Sequence, residues 1–223
     1  HEYVRRPGSV PAFLAVADDD EFRPSIQAVE FLYSLDSNPG KRFVHYAVGG
    51  HGADMFPFHR ELPGMIADWF VTTLVKTPGQ APPDKNPPAI PAEIKILDSI
   101  DQPGGADKVA AKLAEARQRD PKAKLFDENL VNFLGYEHLQ ASDTKGAVAI
   151  MKLNVTAFPE SANVYDSLSD AYLADGQKDL ARENARKALG LLASDTSLPP
   201  AARDGIKASA EQKLKQLGEK SSN

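Results

Sequence analysis

Three consecutive aspartates and a glycine-flanked histidine are the residues of this sequence whose types and spacing could support catalysis. Asp20 ends the aspartate run at 18–20, and His51 follows 31 residues later within the Gly-Gly-His-Gly segment at 49–52. An imidazole can take a proton from a hydroxyl near neutral pH, and a neighbouring carboxylate fixes its tautomer and stabilises the imidazolium. We therefore predict that Asp20 and His51 form an acid–histidine pair. Helix capping by an aspartate and a surface position for the histidine are the alternatives.

Two short apolar segments would bring the aspartate turn and the histidine loop together. Residues 11–17 (PAFLAVA) and 42–48 (RFVHYAV) have the length and composition of strands, and apolar stripes at 25–35 and 60–74 predict two helices. The order β-α-β-α predicts parallel strands with right-handed crossovers, which is the α/β class. Ligands of such sheets bind beyond the carboxyl ends of the strands, where both polar segments fall.

These residues resemble the C-terminal part of an α/β-hydrolase domain of the dienelactone-hydrolase or prolyl-oligopeptidase kind. In that family a small residue, here Ala17, ends the acid-bearing strand, and the catalytic aspartate, here Asp20, follows three residues later. A proline, here Pro24, often stands four residues further on, and His51 is similar to the histidine that follows the last strand. The resemblance implies esterase- or peptidase-like serine-hydrolase chemistry, with no cofactor.

The nucleophile of such a hydrolase is absent from the sequence. No Gly-x-Ser-x-Gly motif occurs in the 223 residues, so we expect that they do not turn over an ester or peptide by themselves. The sequence begins at His1 without an initiator methionine or a signal-like segment. We therefore expect a processed, cut or partial chain whose nucleophile lies upstream. The compartment stays open, with periplasmic or secreted location as one expectation.

Residues 77–104 differ in composition from the segments on either side. Their prolines and glycines favour extended geometry and predict a semi-rigid linker that cannot sustain a helix. The linker would separate a hydrolase-like segment, residues 1–76, from an all-α domain, residues 105–223. Its prolines are Pro78, Pro82, Pro83, Pro87, Pro88, Pro91 and Pro103.

A 34-residue period in the second half resembles the tetratricopeptide repeat, a helical-hairpin unit. Leu134 aligns with Leu168 and Ala147 with Ala181, and Pro159 stands where a proline ends the second helix of such a unit. Gly135, which aligns with Ser169, and Ala147 are the small residues at which the two helices of a unit would cross closely. An unrelated helical-hairpin bundle is the alternative.

The repeat register predicts a polar and mildly acidic groove without the basic residues that grasp a peptide's C-terminal carboxylate. Two units over 128–195, with capping helices at 106–119 and 200–217, would form the stack. The groove could bind a peptide or protein, or pack on a neighbouring domain. Its lining residues would be Asn129, Asn132, Tyr136, Asn163, Asp166 and Asp170.

Composition limits the remaining classes of partner and site. The net charge of −5 comes without a basic stripe, which argues against nucleic acid as the main partner. No apolar stretch is long enough for a membrane span, and the lack of cysteine excludes disulfides and cysteine-based metal sites.

The two predicted parallel strands would leave the backbone groups at both edges of their sheet unpaired. We therefore expect an upstream segment or another chain to complete the sheet. The alternative to a hydrolase is a non-catalytic scaffold that forms homo-oligomers in this way.

Overall fold

A computed structural model describes residues 11–21, 25–76, 83–195 and 198–218 of the chain. About 65% of the structure is helical, and the described residues contain one two-stranded parallel sheet. The chain divides into two compact units, His1–Asp98 and Ser99–Asn223. The sheet belongs to the first unit, and the second unit is helical.

The first unit alternates strands and helices. Strand β1 is followed by helix α1, strand β2, a short 3-10 turn, the one-turn helix α2, helix α3 and a final π-helical turn. Helix α4 then spans the boundary between the units. The bounds are Phe13–Ala17 for β1, Ser25–Leu35 for α1, Arg42–Tyr46 for β2, Gly52–Asp54 for the 3-10 turn, Met55–Phe58 for α2, Leu62–Phe70 for α3, Val71–Lys76 for the π-helical turn and Ala92–Asp101 for α4.

The sheet is parallel, with Phe13 opposite Arg42 and Ala17 opposite Tyr46. One face, which includes Ala17 and Tyr46, packs on α2 and α3 through an apolar cluster with Leu62. Since side chains alternate along a strand, the other face lies toward α1, where Phe43 makes an edge-to-face contact with Tyr33. The predicted element order and parallel pairing therefore hold in this unit. A sheet of two strands is nevertheless much smaller than that of an α/β-hydrolase.

One prediction about helices in the first 104 residues holds and another is wrong. The helix expected at 60–74 is present as α3 followed directly by the π-helical turn, and it starts at Leu62 because Pro63 fits only the first turn of a helix. The expected linker contains α4, whose first bonds run from the amides of Ile94 and Lys95 to the carbonyl of Pro91. No proline occurs from 92 to 102, so a helix is permitted there. Residues 77–82 of that linker lie outside the described residues.

The second unit is a stack of helices with a regular repeat. All four boundaries of the hairpin α6–α7 recur 34 residues later in the hairpin α8–α9, and α5 packs on α7 while α10 packs on α9 and α8. The 34-residue spacing found in the sequence therefore corresponds to a repeated helical hairpin. The bounds are Gly105–Arg119 for α5, Glu128–Gln140 for α6, Thr144–Ala157 for α7, Ala162–Ala174 for α8, Lys178–Leu191 for α9 and Pro200–Gln216 for α10.

The crossing of α6 and α7 depends on a glycine. A Cβ atom at Gly135 would lie 2.8 Å from Cγ and Cε of Met151. The corresponding residue of the next hairpin, Ser169, is fully buried and donates its hydroxyl to the carbonyl oxygen of Ala181 at 2.7 Å. A small residue is thus required at this position of each hairpin, as the repeat predicts.

Replacing Gly135 with leucine should therefore destabilise the helical unit. The added side chain would overpack the α6–α7 crossing, and we expect the free energy of unfolding to fall by about 1–3 kcal/mol. Urea denaturation followed by circular dichroism measures this. The control is Gly190→Ala near the end of α9, where an added Cβ has nothing within 4 Å. Equal stabilities of Gly135→Leu and the wild type would contradict the packing described.

His138 joins α6 to both the end of α4 and the α6–α7 turn. Its Nε2 lies 2.8 Å from Asp101 Oδ1 and its Nδ1 lies 2.7 Å from Asp143 Oδ2. The side chain is 14% exposed. Burial lowers the pKa of His138, but the hydrogen bonds and charges of the two carboxylates outweigh burial, and the pKa is raised. Only the imidazolium can donate a hydrogen bond to both carboxylates.

The stability of the helical unit should therefore depend on pH through His138. Because its folded pKa is raised, its contribution is complete below the unfolded value of about 6.5 and is lost as the pH rises through the folded value. We expect the free energy of unfolding to decrease from pH 6 toward pH 9. In His138→Gln the free energy of unfolding should lose the part of this decrease that comes from deprotonation of His138. Urea titrations across this range measure it, and parallel pH profiles for the two proteins would exclude the mechanism.

Candidate functional site

Asp20 and His51 lie in contact at the carboxyl end of the parallel sheet. The turn after β1 carries Asp20, the loop after β2 carries His51, and His51 Nδ1 is 2.9 Å from Asp20 Oδ2. Asp20 is 6% exposed, whereas the side chain of His51 is 55% exposed. An ionised carboxylate only accepts hydrogen bonds, so this contact favours the tautomer with the proton on Nδ1. Nε2 then carries the lone pair that a general base needs.

The glycines before and after His51 shape its loop. Gly50 has a φ of +68° and Gly52 a φ of +57°, which is the left-handed region that L-residues with side chains seldom adopt. His51 itself has an extended backbone and precedes the 3-10 turn. Glycine at both positions therefore permits the backbone conformation of the loop. Pro24, which the family resemblance includes, lies outside the described residues.

Among the described residues of this unit, His45 and His59 also make structural contacts. His45 Nε2 lies 2.7 Å from Asp18 Oδ1. The ring of His59 stacks on Tyr46 with centroids 3.5 Å apart, and its Nε2 lies 2.6 Å from the carbonyl oxygen of Val48. His59 therefore supports the loop that carries His51. The sequence spacing gave no signal for that role.

Apolar side chains near the histidine loop are open to solvent. Val48 lies in the loop and Phe58 ends α2, and Phe58 is 67% exposed. Phe70 and Val75, at the end of α3 and in the π-helical turn, are exposed as well. Apolar residues around a helix usually indicate that it is covered on several sides. Val48 and Phe58 thus offer exposed apolar area beside the histidine loop, whereas Phe70 follows Trp69, whose indole bonds to Gly40 before the start of β2.

The helical unit contains an open cleft of about 1020 Å³. Three of the six predicted groove residues, Asn129, Asn163 and Asp166, line it together. Two aromatic rings, Phe126 and Phe158, form an edge-to-face pair in its wall. One lysine, Lys124, lines the cleft together with five acidic residues. These are Asp127, Glu128, Glu160, Asp166 and Asp195.

The remaining predicted groove residues do not line this cleft. Tyr136 donates its hydroxyl to Asp170 Oδ2 at 2.8 Å. Burial and the charge of Asp170 raise the pKa of Tyr136, so the hydroxyl remains protonated at neutral pH. The side-chain oxygen of Asn132 is buried and has no hydrogen-bond partner. The structure therefore divides the predicted groove into an open cleft and an internal polar cluster.

Lys213 of α10 forms ion pairs with two of the predicted groove residues, Asp166 and Asp170. Its Nζ lies 2.9 Å from Asp166 Oδ1 and 2.8 Å from Asp170 Oδ1, and the residue is 5% exposed. Burial is the main cause of the raised pKa of Asp166, and the neighbouring ammonium partly opposes it. Lys213 shares the buried stripe of α10 with Ile206 and Ala210. A lysine in that apolar stripe was the available sequence signal.

Within the described ranges, no group of three or more His, Asp or Glu side chains is arranged to hold a metal ion. None of the helices described is long and apolar enough to cross a bilayer. No protein-family profile, curated protein or solved structure matches the chain.

Proposed function

We propose that Asp20 and His51 are the acid and the histidine of a serine-hydrolase triad. In this proposal residues 1–76 are the C-terminal part of an α/β-hydrolase domain, and the helical unit is a tetratricopeptide-like interaction module. The observation that carries the proposal is the 2.9 Å contact between a buried carboxylate and a half-exposed imidazole. Its position beyond the carboxyl ends of two parallel strands is the position at which α/β sheets bind ligands.

The pair has the geometry that general-base catalysis needs. Asp20 would hold the imidazole in the tautomer with the proton on Nδ1 and stabilise the imidazolium. His51 would take the proton from a serine hydroxyl as the oxygen attacks an acyl carbon, and would then return it to the leaving group. The serine must come from polypeptide outside these 223 residues, because the sequence has no nucleophile motif.

The two edges of the sheet differ in how well they could pair with a strand of the missing polypeptide, and the edge of β1 is favoured. The amide of Arg42 donates a hydrogen bond to the carbonyl oxygen of Ala12, and the amide of Asp18 donates one to the carbonyl oxygen of Tyr46. The backbone groups of 12 and 18 therefore point toward β2. By strand alternation, the backbone groups of 13, 15 and 17 point away from β2 and form the outer edge of β1.

Asp84 partly covers the opposite edge, which belongs to β2. Its Oδ2 accepts hydrogen bonds from the amide of Phe43 at 3.0 Å and from the hydroxyl of Tyr33 at 3.3 Å. An added strand would thus pair with β1. A homo-oligomer through the sheet would also use the β1 edge, which favours a closed dimer over a head-to-tail filament.

Labelling of the complete gene product with a fluorophosphonate probe tests the proposal. The wild type should be labelled at a serine, and Asp20→Asn should reduce the labelling rate by about 10³–10⁴-fold, as expected when the histidine loses its orienting carboxylate. His51→Gln should abolish labelling. The matched control is His45→Gln, which alters another Asp–His pair of the same sheet and should leave the rate unchanged. A wild-type protein that takes up no probe would refute the proposal.

A second function, binding of a basic extended peptide, is favoured by the composition of the cleft. Its carboxylates outnumber its single lysine, and its aromatic pair offers apolar contact area beside them. Several of these acids already cap or bridge the hairpins. Asp127 accepts the amides of Asn129 and Leu130, and Glu128 accepts the hydroxyl of Ser161. Glu160 is exposed at the rim, where a basic side chain could reach it.

Reversing the charge of Glu160 should therefore weaken peptide binding. We expect a fluorescent peptide of alternating lysine and leucine to bind the full chain more tightly than a glutamate–leucine peptide, with an affinity that falls as salt is added. Glu160→Lys should lower the affinity, while Glu183→Lys, an equal change on the exposed side of α9, should not. Fluorescence anisotropy measures this. Equal binding of the two peptides would exclude the cleft as a basic-peptide site.

A further inference from the structure

The turn at 18–20 contacts the second strand and its loop through all three of its carboxylates. Asp18 lies within hydrogen-bond distance of His45, and Asp20 lies within hydrogen-bond distance of His51. Asp19 Oδ1 accepts hydrogen bonds from the amides of both Gly49 and Gly50, each at 2.8 Å. We propose that Asp19 is a positioning residue that fixes the His51 loop against the turn carrying Asp20. This inference rests on the proposed role of Asp20 and His51 in hydrolysis.

The contacts of Asp19 lie beside the acid and the histidine. Asp19 precedes Asp20 in the chain and Gly50 precedes His51, so the hydrogen bond from the Gly50 amide to the Asp19 side chain joins the two positions next to Asp20 and His51. Hydrogen bonds to an ionised carboxylate are shorter and stronger than those between neutral groups. A single carboxylate oxygen that accepts two successive amides also fixes the orientation of the peptide between them.

Without these bonds the loop would have few backbone constraints. Gly49 and Gly50 have positive φ values of 153° and 68°, and a glycine backbone visits many other conformations. A side chain at Gly49 would also crowd Met55, whose Cγ would lie 3.0 Å from the added Cβ. Glycine is therefore required at 49 by space as well as by conformation, and Asp19 compensates for the freedom that glycine brings.

His59 holds the same loop from the other side. Its Nε2–H donates to the carbonyl oxygen of Val48, and its ring stacks on Tyr46 at the end of β2. His59 thus attaches the loop to the end of β2 and to the segment before α3. The Asp19 hydrogen bonds attach the backbone of the loop to the turn that carries the acid. These bonds help to determine the distance and angle between Asp20 and His51.

Asp19 suits a positioning role because it is exposed. Hydrogen bonds at an exposed carboxylate contribute modestly to global stability, so their loss should loosen the loop without unfolding the unit. Catalytic groups must be held within about 0.5 Å and 10–20° of their working geometry, and a misplacement of 1 Å can reduce the rate about 100-fold. Loss of Asp19 should therefore affect the rate much more than the stability.

Nuclear magnetic resonance of the chain tests the contact directly. In the wild type we expect slow hydrogen exchange at the amides of Gly49 and Gly50, and a scalar coupling from each amide nitrogen to the side-chain carboxyl carbon of Asp19. Asp19→Ala should speed the exchange of both amides, and Asp19→Asn, which keeps an acceptor oxygen, should restore protection. Asp18→Ala removes the same charge from the same turn and is the matched control, with unchanged exchange expected.

Labelling of the complete gene product then tests the consequence for catalysis. We expect Asp19→Ala to slow fluorophosphonate labelling about 100-fold, with Asp19→Asn and Asp18→Ala close to the wild type. A wild type that is labelled together with an Asp19→Ala variant labelled equally fast would overturn the positioning role alone. A wild type that is never labelled would overturn the proposed hydrolase function. Rapid exchange of both glycine amides in the wild-type chain would overturn the contact itself, even if Asp19→Ala failed to fold.

Discussion

The parallel pairing of β1 with β2 is the constraint on which the candidate site depends. Because the strands run in the same direction, their carboxyl ends meet at one edge, and the segments that follow them must share the space beyond it. A buried aspartate from one segment and a half-exposed histidine from the other then come within 2.9 Å. An antiparallel pair with the same sequences would place the aspartate turn and the histidine loop at opposite ends. The proximity of Asp20 and His51 therefore follows from the parallel direction of the two strands.

A different constraint, the close crossing of helices, organises the second unit. Gly135 and Ser169 stand 34 residues apart and allow each hairpin to close, so that the helix boundaries repeat with the same spacing. α10 completes the stack by placing the Lys213 ammonium between Asp166 and Asp170. Removing one partner from such a buried pair leaves a charge without compensation, so the pair specifies where α10 docks. What remains open is the cleft beside it.

Sequence patterns predicted the elements that depend on neighbouring residues. The strands, α1 and the two hairpins followed from apolar periodicity and small residues, and the proximity of Asp20 to His51 followed from strand order. The contacts that sequence did not predict join distant residues through single atoms. Lys213 is 47 residues from Asp166, and Asp19 is 30 residues from Gly49. No local pattern encodes such pairs, since they depend on the angle at which whole elements pack. The helix at Ala92–Asp101 was not predicted because the proline content of 77–104 as a whole disfavours a helix, although the proline-free run at 92–102 permits one.

In the proposed hydrolase, Asp20 and His51 serve a nucleophile which other polypeptide supplies. A crystal structure of the complete gene product, in which the distance from His51 Nε2 to the nearest serine hydroxyl is measured, tests this claim. We predict a serine Oγ at about 2.6–3.2 Å from Nε2, with the bond between Asp20 and Nδ1 of His51 retained. A structure in which no serine, threonine or cysteine side chain reaches His51 would contradict the claim.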